Sequence, residues 1–159
     1  MITTRLDNDD GLGNRSIQTI QDHFKEVDKL LLNLVSGIMY DPHAKVMTAI
    51  KKSKNNHYTS LIEMRKPPEK MLTVLGFPHD HPPAGLLIEN ISLDNAWLKI
   101  IHEKNMKSRL KGKPILTTNK KYFEGVSNNE FPVSLINTIK YIGRRIVQKI
   151  NDYLFFNRQ

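Results

Sequence analysis

Short apolar runs separated by polar breaks dominate the first two thirds of the chain, a pattern typical of strands joined by turns. The run 2–6 predicts a strand, and the apolar spacing across 12–28 predicts a helix of roughly four turns with Asn14 as its N-cap. Further strands are predicted at 30–40 (broken at Gly37), 45–51, 58–65 and 97–102, with weaker apolar segments at 71–75 and 84–96. We expect the strands 30–40 and 45–51 to pair as a hairpin.

From Pro132 onward the apolar spacing becomes that of a helix. One stripe holds the apolar side chains Leu135, Ile136, Ile139, Ile142, Ile146, Val147, Ile150, Tyr153 and Leu154, and other faces hold Lys140, Arg144, Arg145 and Lys149. Residues 132–159 are therefore predicted to be a basic amphipathic helical tail. Such a stripe more often packs against a domain. Contact of 132–156 with a membrane surface is the alternative.

Composition narrows the class of protein. With 159 residues, 39% of them hydrophobic, the chain suits one globular domain with a core. It has no cysteine, which excludes a zinc ribbon or a thiol nucleophile, and no apolar run nears the roughly 20 residues of a membrane span. We expect a cytoplasmic protein, or one peripheral on the inner face of the membrane. The net charge of +8, concentrated in the second half, suits phosphate groups.

Three carboxylates and an amide lie within four positions where the first strand ends: Asp7, Asn8, Asp9 and Asp10. Like charges this close raise one another's pKa, so a fold keeps them when they are solvated or when a cation lies among them. Asp7 and Asp9 would point the same way in an extended segment and would suit Mg²⁺ or Mn²⁺. The alternative is a solvated turn that caps the next helix.

The acidic strand end, taken with a distant second motif, resembles the DxD motif of the metal-dependent GT-A glycosyltransferases. The closest resemblance is to a bacterial family described as rhamnosyltransferases, from Thr3 to about Pro114. The residues that carry it are Thr4, Arg5, Leu6, Asp7, Asn8, Asp9 and Asp10, together with Trp97, Leu98, Ile101, His102, Asn105, Ser108, Arg109 and Gly112.

The resemblance implies an α/β fold in which residues 1–131 form the C-terminal part of a GT-A domain, Rossmann-like with a mixed sheet. GT-A enzymes place a nucleotide-binding half before the DxD strand, and six residues precede Asp7 here. We therefore expect a fragment or a split gene product, or an N-terminal half supplied by another chain.

The resemblance also implies the chemistry and the residues of the site. The donor would be a nucleotide-diphospho-sugar, the acceptor a surface-polysaccharide glycan or its lipid-linked precursor, and the cofactor Mn²⁺ or Mg²⁺. The implied metal ligands are Asp7, Asp9 and His102, and the implied substrate-binding residues are Arg5, Asp7, Asn105, Arg109 and Lys113. For His102 the alternative is a hydrogen-bonded histidine at a strand end, and for Lys113 a solvated surface charge.

An inverting transfer also needs a general base beside the acceptor hydroxyl, and Glu63 and Asp80 are the candidates, with surface salt bridges as the alternative for both. Two other functions stay open, a basic nucleic-acid-binding module and a metal-dependent nuclease. Aromatic residues are not interleaved with the basic residues as stacking platforms would require, which disfavours nucleic acid as a partner. After Glu63, the position that the Glu-x-Lys motif of such nucleases gives to lysine holds Arg65, and Lys66 comes one position too late.

Overall fold

The computed structural model describes residues 1–53, 56–67, 70–102, 109–116, 123 and 132–156. Nine strands and two helices lie in these ranges, and no helix among them is long and apolar enough to cross a membrane. In chain order they are β1 (Ile2–Thr4), β2 (Gly11–Leu12), α1 (Ser16–Asp22), β3 (Leu30–Leu34), β4 (Gly37–Asp41), β5 (Val46–Ile50), β6 (Thr59–Ile62), β7 (Leu87–Ile91), β8 (Trp97–Ile100), β9 (Lys113–Ile115) and α2 (Leu135–Phe156).

The strands form two mixed sheets. The first has the order β1-β6-β3-β7, in which β3 runs antiparallel to β6 and parallel to β7. The second has the order β2-β8-β4-β5-β9, in which β4 runs antiparallel to β5 and parallel to β8. The predicted α/β class, the mixed sheet and the C-terminal helix are therefore confirmed at this level.

Two connections carry the chain from the first sheet to the second. β3 passes into β4 through Val35 and Ser36, and β7 passes into β8 through residues 92–96. The Val35 N–H donates to the Ile91 carbonyl at 3.0 Å, and the Ala96 N–H donates to the Ser36 carbonyl at 3.1 Å. The two crossings thus stay hydrogen-bonded to each other, which holds the ends of β3 and β7 beside the starts of β4 and β8.

The predicted strands in the middle of the chain are confirmed, with ends that differ from the prediction by up to three residues. The run 30–40 forms β3 and β4 on either side of the predicted break, and β4 pairs with β5 as the expected hairpin. The segment 84–96 contains β7. Leu87 and Ile88 of this strand are exposed, so its apolar residues do not alternate with polar ones as in a strand that buries one face. Residues 71–75 contain a turn rather than a strand.

The helix predicted at 12–28 is wrong at both ends. Gly11 and Leu12 form β2 against β8, so α1 begins only at Ser16. Its N-cap is Arg15, which makes no side-chain capping bond, rather than the predicted Asn14. The buried Ser16 hydroxyl donates to the Ala96 carbonyl at 2.6 Å and so fixes the start of α1 to the connection before β8. Tertiary pairing has overridden the local helical pattern here.

The main core lies under β3, where every side chain from Leu30 to Leu34 is buried. Burial of apolar surface on this scale is the chief driving force of the fold. The buried members of the cluster are Ile20, Leu30, Leu32, Leu34, Met39, Tyr58, Ile62, Ile91, Ala96 and Trp97. This core brings the starts of β6 and β8 together beneath the acidic cluster.

Candidate functional site

The acidic residues 7–10 form a turn, closed by the Asp10 N–H donating to the Asp7 carbonyl at 3.1 Å. The extended geometry predicted for Asp7 and Asp9 is therefore wrong. Each of the three carboxylates meets a different set of partners, because a turn sends successive side chains in divergent directions. We call residues 7–10 the acidic turn.

Asp9 meets His102, which follows β8. The His102 Nε2 atom lies 2.6 Å from Asp9 Oδ2, and the imidazole donates to the carboxylate. Partial burial raises the pKa of Asp9, but the hydrogen bond from His102 and the charge of Lys99 outweigh it, so this pKa lies below its ordinary value. Both side chains stay accessible, at 40% and 36%. The structure thus brings together two of the three predicted metal ligands.

Asp10 is the buried member of the turn, with a side chain only 1% exposed. It accepts the Tyr58 hydroxyl at 2.7 Å and the Ile100 N–H at 3.2 Å, and Lys99 Nζ lies 3.7 Å away. Burial raises the pKa of Asp10 above its ordinary value, against the lowering by Tyr58 and Lys99. Asp10 therefore anchors the turn to β8, a role that the sequence alone did not single out.

An aromatic pair supports that anchor from below. The rings of Tyr58 and Trp97 stack with centroids 4.4 Å apart, and the indole N–H donates to the Leu34 carbonyl at 2.9 Å. A Cβ at Gly37 would overlap the indole ring, so β4 can pass Trp97 only with glycine at this position. Offset stacking and the buried hydrogen bonds fix the Tyr58 hydroxyl where Asp10 accepts it.

Asp7 meets a second group of side chains. The Arg5 Nε atom lies 3.7 Å from Asp7 Oδ1, and the His57 Nδ1 atom lies 3.9 Å from Asp7 Oδ2. The His57 ring packs on His79 with centroids 3.7 Å apart. Burial, with Lys99 and His79, lowers the pKa of His57 to about 4, and burial also lowers the pKa of His79. Both imidazoles are therefore neutral at pH 7.

The two histidines were not predicted as site residues. His57 precedes a predicted strand, and the continued β1–β6 register opposes it to Asp7. His79 lies in a proline-bracketed loop whose place in the fold no local pattern reveals. Only the residue type could have indicated them as site residues, because histidine is the side chain whose pKa lies nearest to neutral pH.

The two candidates for the general base differ in their surroundings. Glu63 is buried, and its two carboxylate oxygens accept the N–H groups of Leu72 and Thr73, both at 3.0 Å. These hydrogen bonds connect the end of β6 to the following loop, so Glu63 has a structural role. Asp80 is exposed and pairs with His81 at 3.0 Å, and it lies directly after His79, whose ring packs on His57.

Of the other predicted substrate-binding residues, Lys113 is not brought to the turn. Lys113 lies on β9, three strands from β8, or about 14 Å at the usual inter-strand spacing. Arg109 is exposed, and Asn105 lies outside the described residues. Arg5 and Asp7 are thus the predicted substrate-binding pair that the structure places together.

Within the described ranges, no three His, Cys, Asp or Glu side chains converge as ligands for a metal ion. The Asp9 and His102 side chains are both partly accessible, and their mutual hydrogen bond joins one carboxylate oxygen to one imidazole nitrogen. Mg²⁺ is usually held by one or two carboxylates, with waters and substrate phosphates filling the other positions. Asp9 and His102 would thus supply at most two ligands of a divalent ion.

Comparison of the chain with family models, with curated proteins and with solved structures gives no match. The chemistry open to the site therefore follows from its own side chains. These are an accessible carboxylate–imidazole pair, a buried carboxylate beside a lysine, and an arginine–aspartate pair next to two neutral imidazoles. Together they suit a polar ligand that carries phosphate groups and hydroxyls.

Proposed function

We propose that the chain is the C-terminal part of a metal-dependent GT-A glycosyltransferase. It would move a sugar, rhamnose in the resembling family, from a nucleotide-diphospho-sugar to a surface-polysaccharide or lipid-linked acceptor. The observation that carries the proposal is the contact between Asp9 and His102 across 93 positions of sequence. It joins the acidic motif to the distant histidine, the two features on which the resemblance depends.

Transfer of the sugar requires that the negative charge of the departing diphosphate be stabilised. Asp9 and His102 would hold Mn²⁺ or Mg²⁺ there, and such an ion acts as a Lewis acid on the diphosphate oxygens. The Lys99 Nζ atom lies 3.7 Å from Oδ2 of the neighbouring Asp10, and its charge also helps to lower the pKa of Asp9. Its cation adds to the positive potential that a diphosphate would meet.

Arg5 and Asp7 would bind the rest of the donor. The Arg5 Nε and His57 Nδ1 atoms are buried without a hydrogen-bond partner among the described residues. Both atoms face the Asp7 carboxylate, at 3.7 Å and 3.9 Å, and the Asp7 side chain is 40% exposed, so a ligand can reach this group through Asp7. Arg5 would donate to a phosphate oxygen, and Asp7 would accept from a ribose hydroxyl.

Acceptor activation falls to Asp80 in this proposal. The exposed Asp80 carboxylate is ionised at neutral pH and would accept the proton of an acceptor hydroxyl, although the hydrogen bond from His81 lowers its pKa and so makes it a weaker base. The oxygens of Glu63 already accept two backbone N–H groups, which leaves it poorly suited to this role. The same occupancy disfavours the nuclease alternative, which would need Glu63 at a metal.

A nucleotide-binding half from another chain belongs to the proposal as well. β1 lies at one end of the strand order of the first sheet, with β6 as its partner among the described strands. An edge strand offers unpaired backbone groups to an added strand. Such an addition would lie directly before the acidic turn, where the base and ribose of a donor need contacts.

Calorimetric titration of the intact chain tests the proposal. We expect Mn²⁺ to bind, uridine or thymidine diphosphate to bind in its presence, and duplex DNA to bind no better than the overall positive charge explains. The variant Asp9→Ala should lose the Mn²⁺ heat, and Asp94→Ala, which removes an exposed carboxylate elsewhere, should keep it. Equal Mn²⁺ affinity in Asp9→Ala and in the parent would show that Asp9 is not a metal ligand.

A further inference from the structure

Helix α2 contacts the rest of the protein through polar groups. Thr138 is fully buried, the Asn137 amide donates to the Ala44 carbonyl at 2.7 Å, and the Tyr141 hydroxyl donates to the Leu110 carbonyl at 3.1 Å. Amphipathic helices normally turn their apolar stripe toward the core and their polar face toward water. In α2 the polar face contacts the protein at Asn137, Thr138 and Tyr141, and residues 142–154 are exposed on every face.

The apolar stripe of α2 is exposed as a result. Its large side chains are between 38% and 70% accessible. They are Leu135, Ile136, Ile139, Ile142, Ile146, Val147, Ile150, Tyr153 and Leu154. The packing that the sequence favoured for this stripe is therefore wrong for the chain by itself. A contiguous exposed stripe of this size marks a surface that binds another apolar phase.

Cationic side chains border the stripe on both sides. At 3.6 residues per turn, Lys140 lies two turns before Val147 on one border, and Lys149 lies two turns after Ile142 on the other. Arg144 and Arg145 lie farther round. Long basic side chains in these positions can keep their charges in water while their stems follow the apolar surface.

A cleft of about 470 Å³ lies between α2 and the β5–β9 edge of the second sheet. Four cationic side chains line it, Lys51, Lys113, Arg145 and Lys149. Ile142 and Ile146 belong both to the cleft wall and to the stripe, so the cleft opens along the border of the stripe. Anion-attracting groups and an apolar face thus meet on one side of the protein.

We infer that α2 and this cleft dock the protein on an anionic lipid bilayer. The helix, about 33 Å long at 1.5 Å per residue, lies in the plane of the interface with its stripe among the acyl chains. The cleft cations lie over lipid phosphates. A second copy of the chain fits less well, because it would bring like charges together at both borders. This inference stands apart from the proposed transferase activity.

Flotation of the intact chain with vesicles tests the docking. We expect binding to phosphatidylcholine vesicles that contain phosphatidylglycerol, little binding to pure phosphatidylcholine, and weaker binding as salt rises. The double variant Ile139→Gln/Ile150→Gln should weaken binding about tenfold or more. Its matched control, Leu75→Gln/Ile88→Gln, removes two exposed apolar side chains elsewhere and should bind like the parent.

A second variant, with its own matched control, tests the contribution of the cationic side chains. Arg145→Gln/Lys149→Gln should weaken binding about tenfold or more, while Arg65→Gln/Lys70→Gln removes the same charge beside the other sheet and should have a much smaller effect. Circular dichroism checks that α2 persists in each variant. Equal losses in a variant and its control would overturn the inference, as would no binding by the parent. Self-association that Ile139→Gln/Ile150→Gln abolishes, without vesicle binding, would reassign the stripe to a dimer interface.

Discussion

The Tyr58 hydroxyl donates to Asp10 at 2.7 Å, and this bond links the aromatic core to the acidic turn. Burial and the Asp10 carboxylate raise the pKa of Tyr58 far above its ordinary value, so the phenol stays a donor throughout the working pH range. The position of the turn against the core is therefore set by Tyr58, a buried side chain directly before β6.

Removal of that hydroxyl should destabilise the fold. Tyr58→Phe leaves the buried Asp10 carboxylate without one donor, and we expect a loss of about 1–3 kcal/mol in the free energy of unfolding. Urea unfolding measures it. Tyr153→Phe, at a 70% exposed position, is the control and should change the unfolding free energy by less than about 0.5 kcal/mol. Equal effects of the two variants would mean that the Tyr58–Asp10 bond contributes little.

The contact between Asp9 and His102 predicts a second result. His102→Ala should weaken Mn²⁺ binding by about 10 to 100-fold, the range known for the loss of interactions that support a metal site. Calorimetry of the metal alone measures the affinity. His81→Ala removes an exposed imidazole that lies on another loop and should leave the affinity unchanged. An unchanged affinity in His102→Ala would remove this histidine from the site.

His57 predicts a pH dependence of stability. Its pKa is about 4 in the fold against an ordinary value of 6.5, owing to burial and to Lys99, His79 and Arg5, with Asp7 opposing. Between these values the unfolded chain binds a proton that the folded chain does not, so this contribution to stability is present above pH 6.5 and is lost as the pH falls toward 4.

The measurement compares urea unfolding of the metal-free protein at pH 7 and pH 5. The parent should lose more stability between these pH values than His57→Gln, which lacks the titrating group. His81→Gln, at an exposed histidine, should follow the parent. A His57→Gln variant with the parent's pH slope would contradict the buried, neutral imidazole.

Gly37 offers a test of the packing beneath the site. Gly37→Ala places a methyl group inside the Trp97 ring, and overpacking of this kind should cost about 1–3 kcal/mol. Gly143→Ala is the matched control, because nothing lies within 4 Å of its added methyl group and it lies inside α2. It should stabilise α2 by about 0.5–1 kcal/mol. Thermal unfolding of both variants checks the opposite signs.

Local patterns in the sequence were enough to predict β3 to β6, β8, the hairpin and α2. Their apolar residues recur with the period of a strand or a helix over whole segments, and that signal needs no distant partner. β2 and β9 are short, and β7 exposes apolar side chains, so their pairing depends on strands far away in the chain. The helix predicted at 12–28 begins later for the same reason, since Leu12 pairs with Trp97 of β8.

The sequence by itself determined that three carboxylates would lie together at a strand end, and which side chains form the stripe of α2. Only the tertiary structure decided what each of them meets. Continuing the β1–β6 register opposes Asp7 to His57, and continuing the β2–β8 register opposes Asp9 to Ile100, two residues from His102. Strand register couples residues far apart in the chain, and no short window of sequence contains both partners.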